Sequence, residues 1–246
     1  MGSNERLRGS LASAGLRPVD LAEAVQVDAK TVERWITQDR LPHRVHRAAA
    51  AKCLHVEETY LWPKLVHDPR THTASQAELL RLYPSRGAVP SDVWKELLDG
   101  AREAIDVLFY AGTHMFENDL VGTLARKSAQ GIHCRVLIGD QSSDAVRLRA
   151  VEEGTSGGLE GRIQLHRLYL RALRGIPGIE MRAHGTTLYN SLYRFDQDLL
   201  VNVHTYGAPA GLSPILHLRR VPGGRMWDHF MKSFDEVWIR GQPETG

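Results

Sequence analysis

Polar side chains alternate along two neighbouring segments near the end of the 246-residue chain. The two sets, each spaced by two residues, are Tyr189, Ser191 and Tyr193, then Asn202, His204 and Tyr206. Because successive side chains of a β-strand point to opposite faces, each set lies on one face. Hydroxyl, amide and imidazole groups beside aromatic rings are typical of a small-molecule pocket, which we predict here, with His114 near its mouth. A solvent-facing sheet surface is the alternative.

A basic segment in the first quarter of the chain is suited to binding phosphate. The whole chain has a net charge of +2, whereas residues 29–52 have a net charge of +4. Their basic residues are Lys30, Arg34, Arg40, Arg44, Arg47 and Lys52. Such a cluster predicts a surface that faces the DNA backbone. On charge alone, an ordinary solvated helical face explains it as well.

The elements around this basic segment are predicted to be four or five short helices between Glu5 and Leu61. Within them, residues 16–40 follow the order helix, short turn, helix. Asp28 is placed to cap the second of these helices, whose apolar side is anchored by Val32 and Trp35. A helix held in this way presents its other side to solvent and is able to enter a DNA major groove.

The N-terminal segment resembles the helix-turn-helix domains of the lambda-repressor-like (XRE) regulators over about residues 5–66. The resemblance rests on TVERW at 31–35, on Pro42 and on EETYLWP at 57–63. It implies that Lys30, Glu33 and Arg34 face base edges. It also implies that Thr31, Arg40 and Arg44 lie near phosphates. The sequence departs from the family pattern at Pro18, Gln26 and Ile36. A small helical bundle that contacts protein is the alternative interpretation.

The remainder of the chain alternates predicted strands and helices and ends in a polar hairpin and a helix. The segments IDVLFYAG and GIHCRVLIGD and the late hairpin resemble the phospholipase D superfamily over about residues 92–240. Active members carry the motif HxKxxxxD, in which the histidine is the nucleophile and the lysine binds phosphate. The equivalent stretch here has Tyr189, Ser191 and Asp196 at those positions. The resemblance therefore implies a domain without the phosphohistidine mechanism, and we predict no catalytic residues.

These observations predict a two-domain chain. Residues 1–66 form an all-α helix-turn-helix bundle, and residues 67–90 form a linker. Residues 91–241 form an α/β phospholipase-D-like domain with a mixed sheet flanked by helices. Neither Cys53 nor Cys134 has metal-site or redox spacing, so we predict no metal and no cofactor. No apolar stretch approaches the roughly 18 residues of a membrane span, and we expect a cytoplasmic protein with no membrane partner.

The function predicted from the sequence is that of a one-component transcriptional regulator. We expect it to bind double-stranded DNA at a pseudo-palindromic operator as a homodimer. Its C-terminal domain would dimerise and sense a small-molecule ligand. The first alternative is a phosphodiesterase or nuclease with a non-standard set formed by His114, Tyr189 and His204. The second is a C-terminal domain that only docks another protein.

Overall fold

The computed structural model describes residues 3–65, 69–155 and 157–244, and of residues 69–72 the backbone only. The chain divides into two compact units between Thr73 and Ala74. The first unit contains five helices within residues 3–65, which are α1 (Glu5–Ser13), α2 (Pro18–Ala24), α3 (Ala29–Thr37), α4 (Arg44–Cys53) and α5 (Glu58–Leu61). The next helix, α6 (Pro69–Glu78), contains the point of division.

Apolar side chains at helical spacing build the core of the first unit. Val32 is fully buried and Trp35 nearly so, and the Trp35 ring meets Trp62 edge to face with 6.4 Å between centroids. The buried Asn4 links the two ends of the bundle. Its amide donates to the carbonyl of Leu61 at 2.9 Å, and its side-chain oxygen accepts from the backbone of Leu7 at 2.9 Å. The apolar side of α3 thus lies in this core, and Lys30, Glu33 and Arg34 on its outer side are exposed.

The turn between α2 and α3 contains a residue in the left-handed conformation. Gln26 has a φ of 58°, where glycine is favoured, and it is one of the positions at which the sequence differs from the helix-turn-helix pattern that it resembles. Asp28 then caps α3 by accepting the backbone N–H of Thr31 at 2.8 Å and its hydroxyl at 2.8 Å. The predicted N-cap is thus present, and Pro18 lies in the first turn of α2, where its missing N–H costs nothing.

The second unit is built on one sheet of eight strands. In spatial order the strands are β1, β7, β6, β5, β2, β3, β4 and β8. Their ranges are β1 (Leu79–Tyr83), β2 (Ala104–Phe109), β3 (His133–Gly139), β4 (Ile179–His184), β5 (Asn190–Phe195), β6 (Asp198–Val203), β7 (Ile215–Arg219) and β8 (Gln242–Pro243). The central pairs β2–β3 and β3–β4 are parallel, and the other pairs are antiparallel. The predicted mixed sheet is confirmed.

Helices cover both faces of this sheet. They are α7 (Ser91–Gly100), α8 (Thr113–Glu117), α9 (Leu120–Ala129), α10 (Asp144–Glu152), α11 (Gly158–Leu170) and α12 (Met226–Arg240). On one face, Trp94 of α7 meets Tyr193 of β5, with ring centroids 5.1 Å apart. On the opposite face, Trp227 of α12 lies against Arg194, the next residue of β5, at 5.3 Å. The sheet is therefore buried on both sides, and its polar residues need partners there.

A buried ion-pair network joins three central strands beneath α12. Asp106 on β2 is 1% exposed, and its carboxylate pairs with Arg135 at 2.7 Å and with Arg194 at 2.8 Å. The strand register places Arg135 and Arg194 directly beside Asp106, on β3 and β5 respectively. The Arg135 guanidinium lies over the ring of Phe234 at 4.6 Å. Both arginines pair with the Asp106 carboxylate and also contact aromatic rings of α12. The network therefore attaches α12 to the sheet.

The prediction that residues 67–90 form a linker is wrong for those residues that the structure describes. Residues 67 and 68 lie outside the described residues, but the rest contains the whole of α6 and of β1, which pairs with β7. The carboxylate of Glu78, 1% exposed, accepts the backbone N–H groups of Met226 at 2.7 Å and Trp227 at 3.2 Å. These contacts attach the segment to the start of α12. The second unit accordingly begins at Ala74, not at residue 91.

The predicted hairpin is present, but both of its strands are shorter than expected. The strands β5 and β6 meet at Asp196 and Gln197, and Asp196 has a φ of 54°. The Asp196 carboxylate accepts the backbone N–H groups of residues 102, 103 and 104 at 2.7–2.9 Å. The turn is therefore held to the start of β2. Residues 189, 204 and 206 lie beyond the strand ends, so strand alternation does not govern their side chains.

None of the helices in the described part of the chain is long and apolar enough to cross a membrane. Within residues 3–65, 69–155 and 157–244, no group of three or more His, Cys, Asp or Glu side chains is arranged to hold a metal ion.

Candidate functional site

A cavity of about 300 Å³ lies in the second unit, at the edge of the sheet where β2 ends, β5 begins and β6 ends. We call it the hairpin cavity. The backbone of residues 109–113 forms one wall, and residues 209–211 form another. The polar side chains that line it include Arg86, His114, Arg162, Ser191, Tyr193 and His204. A cavity of this size accommodates a small organic molecule at the lower end of the usual range.

Tyr193 places a buried hydroxyl in the wall of the cavity. The residue is fully buried, and its hydroxyl forms no hydrogen bond of normal geometry with the described residues. Burial raises the pKa of this phenol, and the adjacent Arg86 guanidinium opposes that rise. Ser191 also lies beside the hydroxyl. A buried hydroxyl without a normal hydrogen bond costs free energy, and the neighbours of this one are Ser191 and Arg86.

His114 presents a second unpartnered group. Both of its ring nitrogens are buried without a partner in the described structure, and its ring packs edge to face on Tyr193 at 5.1 Å and on Trp94 at 4.7 Å. Burial lowers the pKa of His114 well below its ordinary value, and the charge of Arg86 lowers it further. The imidazole is therefore neutral at pH 7. It offers one donor and one acceptor to a ligand.

Ser191 and His204 form a hydrogen-bonded pair at the floor of the cavity. The Ser191 Oγ lies 3.0 Å from the Nε2 of His204, and the Nδ1 of His204 lies 3.3 Å from the carbonyl oxygen of Leu188. A carbonyl only accepts, so Nδ1 carries the proton and Nε2 accepts from Ser191. Burial lowers the pKa of His204 to about 4, and the charges of Arg149 and Arg86 act in the same direction.

The charged side chains that line the cavity differ in their pairing. Arg86 and Arg162 contribute two positive charges, and within the described ranges neither forms an ion pair. Glu117 and Glu153 contribute two negative charges, but Glu153 is paired with Arg149 at 2.7 Å. The charges of Arg86 and Arg149 both lower the pKa of His204, so positive charge acts on this histidine.

Four of the seven predicted pocket residues line the cavity, and three do not. Tyr189 is 79% exposed and Tyr206 is 85% exposed, because both lie beyond the strand ends. Asn202 is fully buried, and its amide donates to the carbonyls of Ser213 and Pro214 at 3.1 Å, so its role is to hold the loop after β6. The expected shared face of all six hairpin residues is therefore wrong.

The structure adds Arg86 and Arg162 to the candidate site. Arg86 lies in the segment that the sequence analysis interpreted as a linker, and its backbone N–H donates to the carbonyl of Ser213 at 2.9 Å. Arg162 lies on α11, which brings it to the cavity from a distant part of the chain. No local spacing links either residue to the hairpin. Their closeness to the predicted pocket residues becomes apparent only when the order of the strands in the sheet is known.

On the first unit, the residues predicted to contact DNA are placed on or near α3. The side chains of Lys30, Glu33, Arg34, Arg40 and Arg44 are exposed, and none forms an ion pair with another described residue. Thr31 is half-buried and its hydroxyl is bonded to Asp28. Arg47, by contrast, pairs with Glu58 at 2.8 Å and is not free. The unpaired cations are therefore concentrated around α3 and the start of α4.

From the buried His184 we predict that the free energy of unfolding of the second unit falls in acid. Burial lowers the pKa of His184 to about 4, below the value of about 6.5 expected in the unfolded chain. The unfolded state therefore takes up a proton first as the pH falls, and stability is lost from about pH 6.5 down to the folded pKa. Denaturant unfolding at a series of pH values should show this decline, and it should be smaller in His184→Gln. An unfolding free energy that is constant over this interval would contradict the assignment.

Comparison with known proteins leaves the family open. No protein-family model matches the chain, and no curated protein matches it. Among solved structures, the chain is similar to TrmBL2, an archaeal chromatin protein described as showing a novel mode of DNA binding, with 14% identity and a TM-score of 0.43 over 96% of this chain and 92% of that one.

Two further structures are similar to part of the chain. Nuc from Salmonella typhimurium, a phospholipase D family member, has 13% identity and a TM-score of 0.38, and covers 67% of this chain and 95% of its own. NucT from Helicobacter pylori has 11% identity and a TM-score of 0.41, and covers 66% of this chain and 97% of its own. Likeness at such low TM-scores does not establish a common fold.

Proposed function

We propose that the chain is a one-component transcriptional regulator that binds double-stranded DNA through α3. The observation that carries this proposal is the exposed outer side of α3, where Lys30 and Arg34 form no ion pair with another residue that the structure describes. The inner side of the same helix is fixed by Val32 and Trp35, and its first turn is fixed by Asp28. A rigid helix with unpaired cations on its free side is suited to the major groove.

In this proposal the predicted DNA-contacting residues contribute in two ways. Lys30, Glu33 and Arg34 face base edges and determine which sequence is bound. Thr31, Arg40 and Arg44 lie near phosphates and determine register and overall affinity. A homodimer would present two copies of α3 to half-sites about one helical turn apart, which is why we expect a pseudo-palindromic operator.

The salt dependence of binding tests the division between these two groups. DNA affinity should fall linearly on a log–log plot as salt increases, because each phosphate contact releases counterions. Arg44→Ala should weaken binding to specific and random duplexes equally and reduce the magnitude of the salt slope by about 1. Fluorescence anisotropy with a labelled duplex measures both quantities. Salt-independent binding, or a slope identical in the variant, would contradict a phosphate contact by Arg44.

For the second unit we propose a phospholipase-D-like domain that dimerises and binds a small molecule in the hairpin cavity. The support is the cavity itself, with the buried and unpartnered groups of Tyr193 and His114 in its walls. Binding changes DNA affinity only if the ligand prefers one arrangement of the dimer over another. A second unit that merely docks another protein would not need a polar cavity of this kind.

We also propose that the chain does not hydrolyse phosphodiesters by the superfamily mechanism. The position of the nucleophilic histidine holds Tyr189, which is 79% exposed and outside the cavity. The alternative enzyme set of His114, Tyr189 and His204 is therefore not gathered around one space. The carboxylate of Asp196 is also engaged in a structural role, since it accepts hydrogen bonds from three backbone N–H groups. Turnover of a generic phosphodiester that is lost in His204→Ala would favour the enzyme instead.

A further inference from the structure

We propose that Ser191 is a nucleophile, activated by His204, that accepts the acyl group of a small carboxylic ester bound in the hairpin cavity. The pair has the required contact, with 3.0 Å between Ser191 Oγ and His204 Nε2. It also has an orienting partner, because the carbonyl of Leu188 holds the proton on Nδ1 at 3.3 Å. Nucleophile, base and orienting group are the three parts of an activated serine.

The cavity supplies groups that stabilise negative charge beside this serine. The Tyr193 hydroxyl is buried without a normal hydrogen bond, and both Ser191 and the Arg86 guanidinium lie next to it. A donor and a cation in this position are able to face the oxyanion that forms when a carbonyl is attacked. The site therefore places a donor and a cation beside the hydrogen-bonded serine and histidine.

The reaction balances without any added oxidant, metal or cofactor. Ser191 Oγ forms a bond to the carbonyl carbon while its proton passes to His204 Nε2. Collapse of the oxyanion breaks the bond to the leaving alcohol, which takes the proton from His204. Water then attacks the acyl-serine, His204 again takes the proton, and the acid leaves as serine is restored. The net change is ester plus water to acid plus alcohol.

The substrate class follows from size and from the group that is attacked. A volume of about 300 Å³ admits only a small molecule. A carboxylic ester develops a single oxyanion when its carbonyl carbon is attacked, and Tyr193 and Arg86 are the donor and the cation beside Ser191. The inference rests on the proposal that the cavity takes a small molecule, and it is independent of DNA binding.

A fluorophosphonate probe tests the nucleophile on the full-length chain. We expect one covalent adduct by intact mass, mapped to Ser191, with loss of fluoride from the probe. Ser191→Ala should show no adduct, and His204→Gln should react about 100-fold more slowly. Tyr189→Phe, an exposed residue outside the cavity, should label like the original chain. Folded protein without an adduct at Ser191, or equal rates in His204→Gln, would overturn the proposal.

The pH profile gives a readout that needs no variant. With the pKa of His204 lowered to about 4, the base is deprotonated at neutral pH. Labelling should therefore be nearly constant from about pH 6 to 8 and decline only towards pH 4. A rate that rises about tenfold with each pH unit would indicate an unassisted serine and contradict the role of His204. If Ser191 is not labelled while the chain still binds DNA, this inference fails and the regulator proposal stands.

Discussion

Replacing Asp106 with alanine is expected to lower the free energy of unfolding of the second unit by about 3–5 kcal/mol. Its carboxylate is 1% exposed and pairs with Arg135 and Arg194 from the two adjacent strands. Without it, two guanidinium groups remain between the sheet and α12 with their main counter-charge removed. The cost arises chiefly from that uncompensated buried charge. Urea unfolding followed by circular dichroism measures the change.

Asp235→Ala is the matched control for this prediction. Asp235 pairs with the same guanidinium of Arg135 at 2.9 Å, but its side chain is 54% exposed. Solvent screens that pair, so its loss should cost no more than about 1 kcal/mol. The two variants remove the same kind of group from the same arginine and differ in burial. Equal effects of the two changes would show that the buried network does not stabilise the sheet in the way described.

The double variant Lys30→Ala with Arg34→Ala is expected to weaken operator binding on the order of 1,000-fold, since each base contact contributes about 1–3 kcal/mol. Both side chains are exposed on α3 and lack an intramolecular partner within the described residues. Their removal therefore leaves the fold intact while it removes contacts to base edges. Discrimination between specific and random DNA should fall together with affinity. Anisotropy titrations against both duplexes measure the two effects.

Arg6→Ala is the control for charge alone. Arg6 belongs to the same unit, but its guanidinium lies over the ring of Tyr60 at 5.5 Å and donates to the Tyr60 carbonyl at 3.2 Å. The Arg6 side chain therefore contacts α5 rather than α3. Its loss should change DNA affinity by less than about threefold. If the control and the double variant lost affinity equally, α3 would not be the recognition helix.

The helical part of the fold was open to prediction because its signals are local. The cap at Asp28 and the apolar spacing that ends in Trp35 lie within one helix and its first turn, so spacing alone specifies them. The turn at Gln26 was harder, since glutamine gives no hint of a left-handed conformation. The apolar runs of β2 and β3 likewise predict central strands of a buried sheet.

The parts that sequence did not predict depend on pairing between distant segments. β1 was missed because a five-residue strand with exposed leucines resembles the end of α6 until its partner β7 is known. Asp106 gave no signal in an apolar run, since its partners are 29 and 88 residues away. In the candidate site, Tyr189 and Tyr206 were placed by alternation, which stops where the strands end.

Selection of DNA from a random duplex pool by the full-length chain is the most direct test of the central claim. We expect the enriched molecules to share an inverted repeat whose halves lie about one helical turn, or about 34 Å, apart. The same selection with the Lys30→Ala and Arg34→Ala double variant should not enrich that repeat. A pool that stays random with the original chain, under conditions in which it remains folded, would contradict the claim that this protein reads DNA sequence.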